Sequence, residues 1–411
     1  MVRPSPRSAA QVQNLVLAAA RELFAAQGYE RTTTRDIAKR AAVTPSQLFA
    51  QFGTKAALFE QAAITPYADV VNAYVQRWDA VAHDDVNTVQ LCRDIMIDLF
   101  DVFQSNAGLI TALILAQEHS PELHAELRLS HDAVNRVLAP LERFTTEEAQ
   151  RRGYFGPGFD TAATVRLNHG TVLAASVFGV FDDRAEGSPA GELARLLTDG
   201  FSPAARTRPA QPPSADDATP EVLLSARRRL LDAARESFRD AGYARTGTRT
   251  LAAAANTSES VIFRHFAGKQ DLFEQSIVAC WEDAVHREIA ESAKRSITGR
   301  PVEDFAGEVL ALVELFSGHR GHLLAMLETR SSNARSREAL ARTFAQLSTL
   351  LRERFTAAGS DPEDPTCPLL LCLIAGATVL DSWIFTGTRH PPDWTARQVT
   401  RLALHGVAHQ N

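Results

Sequence analysis

A chain of 411 residues that is 45% hydrophobic, with 22 glycines and 19 prolines, can bury large cores and should form several domains rather than one. No apolar run approaches the ~20 residues that span a bilayer, and the first residues hold no secretory hydrophobic region, so a cytoplasmic chain without a membrane partner is expected. The net charge of −6 divides unevenly: residues 1–60 hold eight Lys/Arg against four Asp/Glu, residues 221–274 nine against seven, and the rest 26 against 38. Phosphate attraction depends on charge within a Debye length, so an acidic body is compatible with basic heads and does not exclude a nucleic-acid partner.

Taken in order, the chain opens with VRPSPR from Val2 to Arg7, too rich in proline to begin a helix; Arg3 and Arg7 there read as a frayed terminus or as an arm for a minor groove. A helical pattern runs from Val12 to Gly28, and the stretch Thr33–Leu58 follows it. Thr34 is placed there as the cap of a short helix whose inner face is Ile37, Ala38 and Ala41. After a turn at Ala42 and Val43, the run Thr44-Pro45-Ser46-Gln47 opens a second helix with a capping box and a proline at its first position. Leu48 and Phe52, four apart, turn inward and leave Ser46, Gln47, Ala50 and Gln51 outside. The pattern is a helix-turn-helix whose second helix is offered to a partner, as a DNA major groove requires.

Further helical patterns occupy 65–82, 88–104, 106–118, 121–148, 161–182 and 189–201. From Pro203 to Pro220 the composition changes to PAARTRPAQPPSADDATP, a linker of about 18 residues that spans roughly 60 Å when extended. Then the first stretch returns. LLDAARESFRDAGYARTGTRTLAAAANTSESVIFRHFAGKQDLFEQ, from Leu230, lies on residues 16–61 at a constant offset of 214, matching Arg21 to Arg235, Phe24 to Phe238, Gly28-Tyr29 to Gly242-Tyr243, Phe49 to Phe263 and Lys55 to Lys269. A repeat of this length halves the fold problem. The following bodies align more faintly, with Phe103 and Gly108 on Phe316 and Gly321, and Gly170 and Ser176 on Gly376 and Ser382.

At these residues both copies resemble the DNA-binding domain of the TetR family of transcriptional regulators. Ser258 through Lys269 carry the family pattern well, including Phe263-Arg264-His265-Phe266. The first copy departs from it with Gln47 at the usual Thr and Ala50-Gln51 in place of a basic residue and His, while Ser46 and Ser260 replace the customary Gly. The resemblance implies an all-α fold, a tandem repeat of a helix-turn-helix DNA-binding domain (1–62 and 221–275) and a helical ligand-binding and dimerisation domain (63–202 and 276–411), joined by the linker 203–220.

It also implies roles. Hydroxyls and cations stand where phosphates would pass: Thr34, Arg35, Thr44 and Lys55 in the first head, Thr248, Arg249, Ser258 and Lys269 in the second. Plain caps and surface charges would give the same residues. Around the second short helices, Ser46, Gln47, Phe49 and Gln51, with Ser260, Val261, Phe263, Arg264 and His265, form the face toward DNA. There Gln47 can pair two edges of adenine, Val261 can touch only a thymine methyl, and Arg264 can reach phosphate or guanine.

In the bodies no nucleophile elbow, phosphate loop or dinucleotide fingerprint is present, so neither an enzyme nor a cofactor is expected. Histidines 119, 124, 131, 319 and 322 lack metal-ligand spacing and read as surface or capping residues, and Cys92, Cys280, Cys367 and Cys372 as packed thiols. The family further implies a small apolar effector, with Leu99, Phe103, Ile110, Leu113 and Phe144, or Leu312, Phe316, Leu323, Met326 and Trp383, as pocket or core residues. Dimerisation is implied through 161–182 with 189–201 and through 366–387 with 393–408, which here can pair within one chain as a pseudo-dimer or build a higher oligomer. The function expected is a ligand-responsive regulator, a repressor, with an imperfect palindromic operator in double-stranded DNA. The alternative is a ligand-sensing or partner-binding protein in which one head, the first in preference to the second, no longer binds DNA.

Overall fold

The computed structural model describes residues 8–63, 88–119, 135, 138–139, 142–143, 146–147, 160–179, 191, 221–295, 298, 300–357, 366–385 and 389–405. The linker, residues 65–82, and most of 121–148 and 189–201 lie outside these. Two compact units divide the chain: Met1–His83 with Val102–Leu141, and Asp84–Asp101 with Glu142–Asn411. Among the described residues no strand occurs.

The first unit begins with α1 (Ala9–Arg31), opened by a capping box between Ser8 and Gln11. Val12, Val16, Ala19, Ala20 and Phe24 bury one face of it. At Gly28 (φ 75°) the chain leaves helical geometry, a left-handed conformation open to glycine. Thr32, fully buried, then returns its hydroxyl to the Leu23 and Gly28 carbonyls and stabilises the bend. Three short helices follow, α2 (Thr34–Arg40), α3 (Pro45–Phe52) and α4 (Lys55–Ala63). Their core is aromatic: the Phe24 and Phe59 rings meet edge to face at 4.7 Å, and Tyr29 lies 4.9 Å from Phe59. Arg21 ties α1 to the end of α4 through the Ala62 carbonyl. Helix α5 (Thr88–Ser105), of which only the last residues, from Val102, belong to this unit, leads to α6 (Ala107–His119), which lies against α1 so closely that a Cβ on Gly108 would sit 3.1 Å from the Ala25 carbonyl.

The second unit holds α7 (Thr161–Phe178), capped by Asp160 and closed by left-handed Gly179. That glycine ends the helix short of the expected 182. Its other elements repeat the head: α8 (Glu221–Arg245), α9 (Thr248–Ala254), α10 (Glu259–His265) and α11 (Lys269–Phe273). The repeat extends to atoms. Gly242 has φ 77°, Thr246 donates to the Ser237 and Gly242 carbonyls, Phe238 meets Phe273 at 5.2 Å, and Arg235 reaches the Ser276 carbonyl.

Here α11 passes through one π-helical turn, Glu274–Val278, into α12 (Ala279–Lys294). The body continues with α13 (Pro301–Gly318), α14 (Arg320–Thr329), α15 (Ala334–Ala357), α16 (Thr366–Val379), α17 (Asp381–Ile384) and α18 (Pro392–His405). Trp281 is its centre, fully buried, its indole N–H on the Thr343 hydroxyl at 2.9 Å and its ring 5.4 Å from Phe316. Buried Glu308 joins three helices by accepting from Ser292, Arg295 and Arg354.

Two expectations for this body fail. The stretch 366–387 is not one helix: the Leu380 N–H bonds the Ala375 carbonyl, five residues back, and Asp381 restarts the chain as α17 while pairing with Arg320. His322 is no surface residue. It is 3% exposed with both ring nitrogens unbonded, held neutral because burial first, and then His319, Arg239 and Arg235, lower its pKa to about 3. His319 caps the break between α13 and α14, and His119 is buried. His124 and His131 lie outside the described residues. Cys367 and Cys372 are buried, with burial pushing the Cys372 thiol up, whereas Cys280 opens onto a polar cleft of about 450 Å³ shared with Arg235 and Arg287. The residues expected around an apolar pocket are packed: Leu99, Phe103, Ile110, Leu113, Leu312, Phe316, Leu323 and Met326 are all buried. The side chains of Phe144 and Trp383 lie outside the described set.

Helix α7, from the first half of the sequence, lies directly on α16 from the second. Gly170 and Gly376 face each other there, and a Cβ built on Gly376 would stand 2.5 Å from the Gly170 carbonyl oxygen. Arg166 of α7 donates to the Ile384 carbonyl at 2.7 Å, Arg330 of α14 donates to the Val177 carbonyl, and Phe178 stacks on Phe344 at 5.2 Å.

Candidate nucleic-acid interface

In each head the chain between its two short helices turns through a left-handed residue, Ala42 (φ 51°) in one and Asn256 (φ 50°) in the other. The residues that follow close the turn identically, Val43 N–H on the Ala38 carbonyl and Thr257 N–H on the Ala252 carbonyl. This fixes the angle between α2 and α3, and between α9 and α10. Buried Leu48 and Phe52, or Ile262 and Phe266, anchor the second helix and leave its opposite face to solvent. On that face Phe49 is 48% and Phe263 58% exposed, large apolar rings with no core to fill.

In the first head, Thr44 and Gln47 form the capping box, Gln47 Oε1 accepting from the Thr44 N–H at 2.9 Å and from its hydroxyl at 3.1 Å. Bidentate pairing to adenine needs that same oxygen, so the cap and base reading compete. The cap of α2 is Thr33 rather than Thr34. Its backbone is extended and its hydroxyl accepts from the Asp36 N–H, which leaves Thr34 as the first helical residue, half-buried. Gln51 does not face outward freely either: it is half-buried and its amide donates to the Ala9 carbonyl at 2.8 Å. Ser46 and Arg35 are exposed.

Lys55 lies 4.0 Å over the Tyr29 ring, and burial, only partly offset by Glu30, lowers its pKa. Lys269 sits 4.0 Å over Tyr243 in the same way. Each ring holds its ammonium by a cation–π contact.

The second head is built from different bonds. Gly247, not Thr248, is the N-cap of α9, and the Thr248 hydroxyl donates to Glu259 at the start of α10. The Ser258 and Ser260 hydroxyls bond each other at 2.8 Å. Arg249, Arg264 and Ser260 are exposed, while Val261, His265 and Lys269 are half-buried. Sequence reasoning passed over Glu259, although an acid where the first copy has Pro45 is visible in the aligned repeat.

Residues 16–62 and 230–275 each match the model for the N-terminal domain of bacterial regulatory proteins, tetR family. Both heads are therefore similar to the TetR-family DNA-binding domain. The HTH-type transcriptional regulator UidR of Escherichia coli K12 is 24% identical to it over 168 residues, which is 41% of this chain and 79% of UidR, and UidR of Shigella flexneri matches equally. Among solved structures it resembles FadR from Bacillus subtilis in complex with stearoyl-CoA (18% identity, TM-score 0.35, 44% of this chain and 98% of that one). FadR from Bacillus halodurans is similar at 15% identity and TM-score 0.38, covering 47% of this chain and all of its own. With two matches to that model, the chain holds two such heads in tandem. None of its described helices is by itself long and apolar enough to cross a membrane.

Proposed function

We propose that this chain is a ligand-responsive repressor that reads an imperfect palindromic operator with two unlike heads, paired inside one polypeptide as a pseudo-dimer. The observation that carries the reading is the packing of α7 on α16 through Gly170 and Gly376, two helices whose positions match in the repeat. Homodimers use one surface twice, and two nearly equivalent surfaces in one chain satisfy that geometry internally. Tethering at millimolar effective concentration favours the internal pair over an external one of equal quality. Since Thr44-Pro45-Ser46-Gln47 and Ser258-Glu259-Ser260-Val261 differ, the two half-sites should differ too. Sedimentation with a short operator duplex tests this. One chain per duplex supports it, and an obligatory two chains on a symmetric site overturns it.

Repression that yields to a ligand needs only differential affinity between two states. An apolar effector entering a body should therefore lower operator affinity and raise thermal stability together. The alternative, a first head that serves as scaffold, draws on the engagement of Gln47 and Gln51.

Single substitutions separate the two. If Gln47 leaves its cap to read a base, Gln47→Ala should weaken the preferred site by about 1–3 kcal/mol and relax one position, while Lys55→Ala weakens all sequences alike. Equal losses on specific and random DNA for Gln47→Ala would favour the scaffold reading.

A further inference from the structure

We propose that Glu259 is a specificity-determining residue of the second head: its carboxylate accepts a hydrogen bond from the exocyclic amino group of a cytosine in the major groove, with Thr248 as its positioning residue. The proposal rests on the DNA-binding reading above. Glu259 is the first residue of α10, the end of a recognition helix that meets base edges. It is half-buried, beside exposed Ser258 and Ser260, whose hydroxyls are engaged with one another.

An acid that served only the helix dipole would point to solvent and leave Thr248 free for a phosphate. Instead Thr248, on the preceding helix, donates its hydroxyl to Glu259 Oε1 and fixes the direction of the carboxylate. Among the described residues no lysine or arginine pairs with Glu259. An unneutralised charge on a face that meets polyphosphate lowers affinity for every sequence unless a base supplies a donor.

The groove offers a carboxylate few partners. Guanine and thymine present acceptors, which it repels, and adenine places N7, an acceptor, beside its amino group. Cytosine presents its N4 amino group alone, so cytosine is the base that fits. The first head provides an internal control, because Pro45 stands at the matching position and offers no hydrogen-bonding side chain. With the Thr248 proton spent on Glu259, phosphate contact in this head falls to Arg249 and Lys269, and removing the acid should strengthen binding to random DNA.

Selection from a random duplex pool with the full chain tests the assignment, run for the wild type, Glu259→Gln, Glu259→Ala and Thr248→Val. The wild type should enrich cytosine at one position of one half-site. Glu259→Ala should flatten that position towards equal base frequencies and bind random DNA severalfold more tightly, with the other half-site unchanged. Glu259→Gln should shift the position towards adenine, whose N6 and N7 an amide can bridge, and Thr248→Val should reduce the cytosine preference without changing the base preferred. Cytosine enrichment that survives Glu259→Ala, or a wild type that enriches both half-sites with no preference there, overturns the assignment. A wild-type chain that enriches no sequence overturns the DNA-binding reading first. Glu259→Gln keeps the side-chain volume, so its altered preference is read on a folded head, checked by an unchanged helical circular dichroism signal.

Discussion

Gly376→Val should cost the protein about 3 kcal/mol or more of stability and lower operator affinity on the order of 100-fold. The atoms that a Cβ at 376 would meet are all backbone: the Gly170 oxygen at 2.5 Å, its carbonyl carbon at 2.6 Å and the Thr171 nitrogen at 3.1 Å. No rotamer change relieves such contacts, so α16 and α7 must move apart, and in the pseudo-dimer proposed above the heads would lose their register. Gly170→Ala is the contrasting case. Its Cβ would meet the Ile384 side chain, the nearest atom being Cδ1 at 2.1 Å, and the end of a flexible side chain can turn away. Calorimetry with operator titration on both variants checks this. Equal, small effects of the two substitutions would mean that the seam does not position the heads.

Acidification from pH 8 to pH 5 should destabilise the fold by about 4 kcal/mol through two histidines. His169, in α7, is held down to about 3, by burial first and by Arg166 second, and burial does the same to His322. Both are neutral in the folded chain throughout the usual range. An unfolded histidine titrates near 6.5, so between about 6.5 and 3 the unfolded chain binds protons that the native chain excludes. Stability therefore rises with pH across that window and levels off above it. At pH 5 each histidine accounts for about 2 kcal/mol relative to pH 8. His322→Leu should abolish roughly half of the slope while leaving stability at pH 8 nearly unchanged; denaturant melts at five pH values measure it. A slope that His322→Leu leaves intact would place the proton uptake elsewhere.

Much of the architecture was legible without coordinates. Spacing of Val12, Val16, Ala20 and Phe24, and of Leu48 and Phe52, is an i to i+4 relation that any helix must turn to one side, and those residues are buried. The constant offset between the two heads reached further, since equal residues at equal separations meet the same neighbours, and Thr32 and Thr246 duly make the same pair of bonds. The head aromatics repeated for the same reason.

What the sequence by itself determined, then, was the pair of heads, their helix-turn-helix order and the all-helical bodies, because these follow from local periodicity and a repeated register. Only the tertiary structure decided how each polar side chain of the interface is spent. Gln51 finds Ala9, 42 residues away in sequence, and Thr248 finds Glu259 on a neighbouring helix. The capping of α2 by Thr33 rather than its neighbour depended on which backbone is extended, which two adjacent threonines do not reveal. The seam between α7 and α16 is likewise tertiary. Both glycines are plain in the sequence, but their direct opposition arises from packing across some 200 residues, where no local pattern reaches.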